Sequence, residues 1–425
     1  MTQKIAPYLF TLFLSSLFTI ACNTKQMETN QNKHITAKDI LGNPNYNAIC
    51  YGGYREKSRD IEPTMAQIVE DLKILSAMNI KLLRTYNVHR QEIINLLKAI
   101  RTLKKQDPNF EMYIMLGAWI DCEAARTSWV NHQKESPANE IEVIHAATLA
   151  AEYPDIIKII AVGNEAMVKW ATTYYVEPYI ILKWVNYLQQ LKKEGKIPAD
   201  TWITSSDNFA SWGGGGTEYH NEDLNALIAA VDYISMHTYP MHDTHYNPEF
   251  WRTKAFENGL TDLEKVDSAM HRAINYAIAQ YRDVKEYVNR LGIKKPIHIG
   301  ETGWASTSND LYGPKGSCAN DEYKAAVYYQ KTIEWTKKEG LTCFYFEAFD
   351  EQWKDAHHAQ GSENHFGLFT LHGQAKYAIW SLVDQGVFEG LSRNGVKVAK
   401  TYDGDLEQVM KQVKTPPLDV ELIHR

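Results

Sequence analysis

Eight short apolar runs constrain the fold of this chain more than any other feature of its sequence. They occupy residues 46–54, 80–86, 111–120, 156–165, 201–207, 232–240, 296–304 and 342–350. Amphipathic stretches separate them, such as EIINLLKAIRTLKK, in which Ile93, Leu97 and Ile100 fall on one helical face. Strands that are apolar along most of their length and alternate with helices are typical of parallel sheets covered by helices.

The number of runs favours a closed barrel. Eight strand–helix units form a (β/α)8 TIM barrel, so a single α/β barrel is the most economical fold. The alternative, a doubly wound sheet, would need a glycine-rich phosphate loop after its first strand. The first run instead continues as Tyr51-Gly52-Gly53-Tyr54-Arg55, which lacks that pattern. We predict a barrel domain over residues 41–390 and a C-terminal extension over residues 391–425 that carries no recognisable motif.

Polar or aromatic residues end the predicted strands. They are Arg84, Tyr86, Trp119, Asp121, Asn164, Glu165, Asp207, His237, Tyr239, Glu301, Trp304, Glu347 and Asp350. A helix cap would explain Asp207 taken alone, but it does not explain the whole set. In a barrel these residues collect at the C-terminal face, where barrel enzymes have their active sites.

Two glutamates repeat one pattern, an apolar strand followed by glycine and a carboxylate. Glu165 ends the fourth run in VGNE, and Glu301 ends the seventh run in IGETGW. A buried carboxylate is costly unless it is paired or used. Glycoside hydrolysis uses two carboxyl groups, one that protonates the leaving sugar and one that is ionised. The pair therefore indicates a glycosidase.

The ordered motifs resemble the clan A retaining glycoside hydrolases and, more narrowly, family 17. ICYGGY and LLRTY match its first two strands, VGNE and IGETGW its fourth and seventh, and FYFEAFDEQWK with ENHFGLF its eighth. The resemblance covers about residues 45–385. It implies an endo-β-1,3-glucan (laminarin-type) hydrolase that forms a covalent glucosyl-enzyme intermediate and needs no cofactor or metal. A β-1,3-glucanosyltransferase would share that intermediate, and the sequence leaves this alternative open.

The resemblance also implies roles for individual residues. Glu165 matches the acid/base, and Glu301 matches the nucleophile. Asn164 matches the amide that binds the sugar 2-hydroxyl. Arg84 and Tyr239 match residues that contact the nucleophile, although a structural salt bridge in the barrel mouth is an alternative for Arg84.

Several aromatic residues are candidates for sugar contacts. Tyr51 and Tyr86 end the first two strands in the matched motifs. Trp119, Trp304 and Trp353 are candidates for stacking on glucose, and Trp304 ranks first because it follows the nucleophile by three residues.

Other positions leave two interpretations open. Glu347, Asp350 and Lys354 on the eighth strand either line the cleft floor or form a charge network that holds Glu165. Trp212, beside a run of four glycines, lies in a predicted mobile loop that either covers substrate or only connects elements. Residues 240–261 either shape the acceptor side of the cleft or cap the barrel.

The N-terminus predicts export. Residues 1–22 combine one lysine with an apolar run that ends in Thr19-Ile20-Ala21-Cys22, as in a signal peptide with a lipobox-like end. Cys22 would then carry a lipid, although Thr19 departs from the usual leucine. A plain signal peptide and an uncleaved anchor are the alternatives. Residues 23–40 are polar and predict a flexible tether, so we expect a lipoprotein of the bacterial envelope.

Composition and net charge limit the classes of partner that this chain is expected to bind. A net charge of −7 and a pI near 6.1 give no electrostatic footprint for nucleic acid. We expect a monomer that binds β-1,3-glucan and meets the membrane through its lipid only. A non-catalytic glucan-binding lipoprotein would be expected to lack a catalytic carboxylate, whereas Glu165 and Glu301 are both present. Cys50 and Cys343 lie in apolar runs and are expected to be buried small hydrophobic residues.

Overall fold

The eight predicted strands form one closed parallel barrel in the computed structural model, which describes residues 34–418. Neighbouring strands pair in chain order, and the eighth pairs with the first, with Ala48 opposite Phe344. The strands are β1 Asn47–Cys50, β2 Ile80–Arg84, β3 Tyr113–Ala118, β4 Ile157–Asn164, β5 Trp202–Asn208, β6 Ile234–His237, β7 Ile297–Thr302 and β8 Cys343–Tyr345. The predicted (β/α)8 barrel is confirmed.

One helix follows each strand. The helices are α1 Met65–Ala77, α2 Gln91–Gln106, α3 Ala138–Glu152, α4 Pro178–Lys193, α5 Glu222–Ala230, α6 Asp262–Arg290, α7 Glu322–Glu339 and α8 Trp380–Asp384. Shorter helices span Ala37–Ile40, Pro240–Tyr246 and Leu406–Gln412. Within residues 34–418, no helix combines the length and the apolar character that crossing a membrane requires.

Local sequence signals set the helix ends and their buried faces. Thr64 caps the start of α1, and Pro178 opens α4 in its first turn. Past the end of α4, Gly195 has a φ of +69°, a conformation that glycine adopts without a steric penalty. Ile93 and Ile100 of α2 are fully buried, as the amphipathic pattern predicted.

The barrel core holds the two cysteines that were predicted to be buried. Cys50 at the end of β1 and Cys343 at the start of β8 are both inaccessible to solvent. Trp212 is also fully buried, and its Nε1 donates to the carbonyl oxygen of Ser235 on β6 at 3.1 Å. The prediction of a mobile loop at Trp212 was therefore wrong. Its indole packs into the wall of the barrel.

The predicted tether extends too far toward the barrel. Thr36 caps the helical turn Ala37–Ile40, and Ala37 and Ile40 are fully buried, so residues 35–40 belong to the packed part of the chain. Residues 1–33 and 419–425 lie outside the described residues, and with them the predicted signal peptide, the Cys22 lipidation site and most of the tether.

The described part of the C-terminal extension packs against the first helix of the barrel. A short hairpin joins Ser392–Arg393 to Val396–Lys397. Arg393 is fully buried, and its Nε donates to Asp71 Oδ1 on α1 at 2.9 Å. A buried ion pair that joins residues so distant in sequence ties the extension to the barrel.

Candidate active site

Glu165 directly follows β4 in an unusual backbone conformation. Its φ is +44°, which a residue with a side chain adopts only where its surroundings hold it. Strand β5 supplies that support: the N–H of Glu165 donates to the carbonyl oxygen of Ser206 at 3.0 Å, and the N–H of Met167 donates to Asp207 Oδ2 at 2.8 Å. Burial raises the pKa of Asp207 to about 7, although the amide of Met167 opposes this rise. Asp207 thus anchors the turn that presents Glu165.

Glu301 is buried at the end of β7 and is surrounded by donors. Arg84 Nη1 donates to Glu301 Oε2, as does the hydroxyl of Tyr86 at 2.9 Å. The hydroxyl of Tyr239 donates to Glu301 Oε1 at 2.6 Å. Burial alone would raise the pKa of Glu301, but the charge of Arg84 and the hydrogen bonds from the two tyrosines lower it to about 2. Glu301 is therefore an ionised carboxylate at neutral pH.

Arg84 joins the nucleophile candidate to the amide beside Glu165. Its Nη2 donates to Asn164 Oδ1, while its Nη1 also reaches the carbonyl oxygen of Gly300 at 3.0 Å. Since the side-chain carbonyl of Asn164 is engaged, its amide nitrogen is the group left to donate to a ligand. The salt bridge that was the alternative for Arg84 is present, and its partner is Glu301 itself.

His237 is a site residue to which the sequence assigned no specific role. It is fully buried, with Nδ1 lying 3.1 Å from Glu165 Oε1 and Nε2 lying 2.8 Å from Ser206 Oγ. A signal was present in the sequence: His237 precedes Tyr239 by two positions, and such residues share one side of an extended chain. Together they contact both glutamates.

A cleft crosses the barrel mouth, and its two halves adjoin at Glu301. The Glu165 half has a volume of about 780 Å³, and the Asn164 half has a volume of about 570 Å³. Glu301, Phe346 and Glu363 line both halves. The nucleophile candidate therefore lies in the middle of a continuous groove.

The aromatic candidates divide between cleft and core. Trp119, Trp353 and Tyr86 line the Asn164 half, and Tyr239 lines the Glu165 half. Trp304 was ranked wrongly: it is buried, and its Nε1 donates to the carbonyl oxygen of Ala319 at 2.8 Å. Its indole packs beside Trp251 and Tyr328, where no sugar can stack.

Tyr51 also lies away from the cleft. It is buried, and its hydroxyl donates to Asp71 on α1 at 3.1 Å. Tyr54 lines the Asn164 half instead. The intervening Gly53 has a φ of +78°, so the chain turns between the two tyrosines and their side chains diverge.

The three charged residues predicted at the eighth strand, Glu347, Asp350 and Lys354, lie in different surroundings. Lys354 lines the Asn164 half and pairs with buried Glu347. Asp350 is buried and accepts from Lys376 Nζ at 2.7 Å, so its place on the cleft floor was predicted wrongly. Within the described residues, the hydrogen bonds of these groups lead to partners other than Glu165. Of the three candidates, Lys354 is the one that faces the cleft.

Glu351 is a cleft residue that sequence reasoning missed. It lines the Asn164 half, accepts from the N–H of Tyr54 at 3.1 Å and accepts from Trp353 Nε1 at 2.9 Å. A Cβ on Gly52 would lie 2.4 Å from Glu351 Oε1. Glycine at this position in YGGY is therefore what lets the first strand approach Glu351, and this requirement could have indicated a close contact.

The segment after β6 divides between the cleft and the packed surface of the barrel. His242, Asp243 and Tyr246 of the short helix Pro240–Tyr246 line the Glu165 half. Trp251 further along is fully buried, and its Nε1 donates to the carbonyl oxygen of Ser317 at 2.7 Å. The start of the segment shapes the cleft, and the remainder packs on the barrel.

Comparison with known proteins identifies the domain. Residues 48–367 match the model of the BtgE/BtgC glycoside hydrolase domain. The crystal structure of an endo-laminarinase from Formosa Hel1_33_131 is 60% identical and superposes with a TM-score of 0.90, covering 91% of this chain and 99% of that one.

Fungal proteins are more distant relatives. A glucan 1,3-β-glucosidase of Arthroderma benhamiae is 25% identical over 279 residues, which are 62% of this chain and 70% of the relative. The putative glucan endo-1,3-β-glucosidase btgC of Aspergillus niger is 23% identical over 309 residues, which are 71% of this chain but only 37% of the relative.

A Rhizomucor miehei β-1,3-glucanosyltransferase shares the fold, with a TM-score of 0.52 and 18% identity over 77% of this chain and 93% of that one. The family match covers the barrel strands and both glutamates. The chain therefore belongs to the BtgE/BtgC glycoside hydrolase domain family, which confirms the prediction of a glycoside hydrolase.

Proposed function

We propose that this chain is a retaining endo-β-1,3-glucan hydrolase of the family 17 type. The observation that carries the proposal is the asymmetry of the two glutamates. Glu301 is buried among Arg84, Tyr86 and Tyr239, which keep it ionised, whereas the Glu165 side chain lines the cleft and is 25% exposed. An ionised carboxylate beside a second carboxyl group is the equipment of a retaining glycosidase.

The reaction proceeds in two steps. First, a carboxylate oxygen of Glu301 bonds to the anomeric carbon, the bond to the leaving sugar breaks, and Glu165 protonates the departing oxygen. Second, Glu165 removes a proton from water, the water oxygen bonds to the anomeric carbon, and Glu301 leaves as a carboxylate. Both steps invert the anomeric carbon, so the configuration is retained.

The two halves of the cleft hold the two sides of the cleaved bond. Glu165 must reach the oxygen that departs with the leaving sugar, so the Glu165 half is the leaving-sugar side. Asn164 offers its amide to the 2-hydroxyl of the sugar that becomes bound, so the Asn164 half holds the retained part of the chain. Because each half has several hundred cubic ångströms of space, the groove suits cleavage within a chain.

The similar proteins support β-1,3-glucan as the substrate. The 60% identical structure is that of an endo-laminarinase, and the fungal relatives are named as glucan 1,3-β-glucosidases or putative endo-1,3-β-glucosidases. Trp119 and Trp353 on the Asn164 half provide flat apolar faces suited to sugar rings.

The experiment is a time course on laminarin with and without short β-1,3-linked acceptors. Short oligosaccharides with a steady rise in reducing ends, in the β-configuration when first released, support the proposal. Products longer than the acceptor, with few new reducing ends, would instead assign a glucanosyltransferase, the second candidate. Binding without any product would assign a non-catalytic glucan-binding protein. Release of the α-anomer would contradict retention.

We also propose that the chain is exported to the bacterial envelope as a lipoprotein and acts as a monomer. The support for export is the sequence of residues 1–22, and the support for a monomer is that one chain supplies both glutamates and both halves of the cleft. Labelling with a fatty acid in the native host, compared between wild type and Cys22→Ser, tests the anchor. Equal labelling of the two would contradict it.

A further inference from the structure

A line of hydrogen bonds leads from Glu165 into the barrel core. His237 Nδ1 lies 3.1 Å from Glu165 Oε1, and His237 Nε2 lies 2.8 Å from Ser206 Oγ. Ser206 Oγ lies 2.9 Å from Ser235 Oγ. His237, Ser206 and Ser235 are all fully buried, so these polar groups depend on one another for hydrogen bonds.

The partners of the imidazole favour one tautomer. A carboxylate is a stronger acceptor than a hydroxyl, because a charge-assisted hydrogen bond is about twice as strong as a neutral one. Nδ1 of His237, which faces Glu165, therefore carries the hydrogen in a neutral ring. Nε2 is then an acceptor for the hydroxyl of Ser206, and Ser206 in turn accepts from Ser235.

The fold reserves space for the two hydroxyls. A Cβ on Gly300 would lie 2.1 Å from Ser235 Oγ and 2.6 Å from Ser206 Oγ. Gly300 directly precedes Glu301, so the first glycine of the IGETGW motif makes room for Ser206, which contacts His237, and for Ser235, which contacts Ser206. The serine pair and the nucleophile are thus built into one junction of β5, β6 and β7.

We propose that His237 is a positioning residue for Glu165, held by Ser206 and Ser235 as the neutral imidazole with its hydrogen on Nδ1. Because Nδ1–H donates to Glu165 Oε1, the acidic proton of Glu165 is confined to Oε2, the oxygen that His237 leaves free for the scissile bond. The opposite tautomer would accept the proton of Glu165 at Nδ1 and draw it away from the leaving sugar.

The proposal rests on the assignment of Glu165 as acid/base under the proposed function. His237 neither gains nor loses a proton in either step: Oε2 delivers its proton to the leaving oxygen and later receives one from water. The neighbouring charges are those of Glu301, whose field reaches His237, Arg84 beside Glu301, and Asp207, whose field reaches Glu165.

Nitrogen NMR tests the tautomer directly. Histidine labelled with ¹⁵N is incorporated into the full chain, and the His237 signals are identified by their loss in His237→Asn. We expect a hydrogen on Nδ1 and a bare Nε2 at pH 6–7, before and after trapping with a 2-deoxy-2-fluoro-β-laminaribiosyl probe. A hydrogen on Nε2 alone, or on both nitrogens, would overturn the proposal. If no adduct forms on Glu301 by mass spectrometry, the proposed function fails instead.

Kinetics of Ser206→Ala give an independent test that does not require His237 to be replaced. Laminarin needs protonation of its leaving group, whereas an aryl β-laminaribioside with an acidic phenol does not. We expect kcat/KM for laminarin to fall about tenfold or more and that for the aryl substrate to stay within about twofold. Equal losses on both substrates would show a structural role only.

Ser205→Ala is the matched control. Ser205 is the preceding residue of β5, equally buried, and its Oγ has no hydrogen-bond partner among the described residues. We expect this variant to keep wild-type kcat/KM on both substrates. A loss equal to that of Ser206→Ala would mean that any cavity in β5 disturbs the site, and would overturn the proposal.

Discussion

Arg84 donates to Glu301 across the barrel, from the end of β2 to the end of β7, and both side chains are buried. The same guanidinium also donates to Asn164 at the end of β4. One planar group thus fixes the distance between the nucleophile and the amide that meets the sugar. A lysine has the same charge but cannot make this forked contact.

We predict that Arg84→Lys lowers kcat/KM for laminarin by about 10²-fold, because one preorganised donor is lost from the reacting centre. The variant should still fold, since Lys keeps a charge opposite Glu301. Steady-state kinetics together with the melting temperature measure the two effects. Arg101→Lys on the outer face of α2 is the control and should behave as wild type. Full activity of Arg84→Lys would contradict the coupling of Glu301 to Asn164.

The low pKa of Glu301 predicts a specific loss of stability in acid. Its pKa is about 2 in the fold, against 4.5 for an ordinary glutamate. A carboxyl group whose pKa is lower in the folded than in the unfolded chain stabilises the fold above pH 4.5, and this stabilisation is lost as the pH falls toward 2. The full contribution is about 3 kcal/mol, of which about 2 kcal/mol is lost by pH 3.

The measurement for this prediction is the free energy of urea unfolding of wild type and Glu301→Gln at pH 6 and pH 3. We expect the difference between the two proteins to shrink by about 2 kcal/mol at the lower pH. The comparison cancels the other titrating groups that the two proteins share. A difference that does not change with pH would contradict the low pKa.

Loss of the acid/base should depend on the leaving group. We predict that Glu165→Ala lowers kcat/KM for laminarin by about 10²–10⁴-fold and spares an aryl β-laminaribioside with an acidic phenol. The physical reason is that a phenolate departs without a proton. Glu140→Ala, an exposed glutamate in the first turn of α3, is the control. Equal losses of Glu165→Ala on both substrates would remove the acid role from Glu165.

The sequence predicted the barrel and both glutamates because the signals for them are local. Each strand is a contiguous apolar run, and Glu165 and Glu301 directly follow strands whose C-terminal ends meet in a barrel. Ser206 and Ser235 had no comparable signal, because short polar residues inside a strand look alike until the register brings them together. That register places Ser206 opposite Ser235 on the neighbouring strand.

The residues whose place in the cleft was predicted wrongly lie where the chain leaves a strand. Tyr51 and Tyr54 are separated by Gly53, whose positive φ breaks the alternation that would have assigned their directions. Trp304 follows a strand end by two residues, and the loop directs its indole into the core. Asp350 pairs with Lys376, which lies too far along the chain for spacing to indicate the contact.

Because Trp353 lines the cleft and Trp304 is buried in the core, we expect their replacement by alanine to have opposite effects. Trp353→Ala should raise KM for laminarin several-fold at little cost to the melting temperature, because its indole lines the Asn164 half. Trp304→Ala should destabilise the fold by about 3–5 kcal/mol, because it leaves a cavity and an unpaired carbonyl at Ala319. Urea unfolding and steady-state kinetics of both variants measure this. The reverse pattern would return Trp304 to the sugar site.

Gly300→Ala tests whether space beside the nucleophile matters to catalysis. The added methyl would lie 2.1 Å from Ser235 Oγ and 2.6 Å from Ser206 Oγ, so the serines must move and the contact from Ser206 to His237 must change. We predict a loss of kcat/KM of about 10²-fold and a lower melting temperature, since an overpacked core costs about 1–3 kcal/mol. Gly259→Ala is the control, because a Cβ there meets no atom within 4 Å. A Gly300→Ala enzyme with wild-type kinetics would show that the barrel can shift without moving His237, and would separate the serine pair from the action of Glu165.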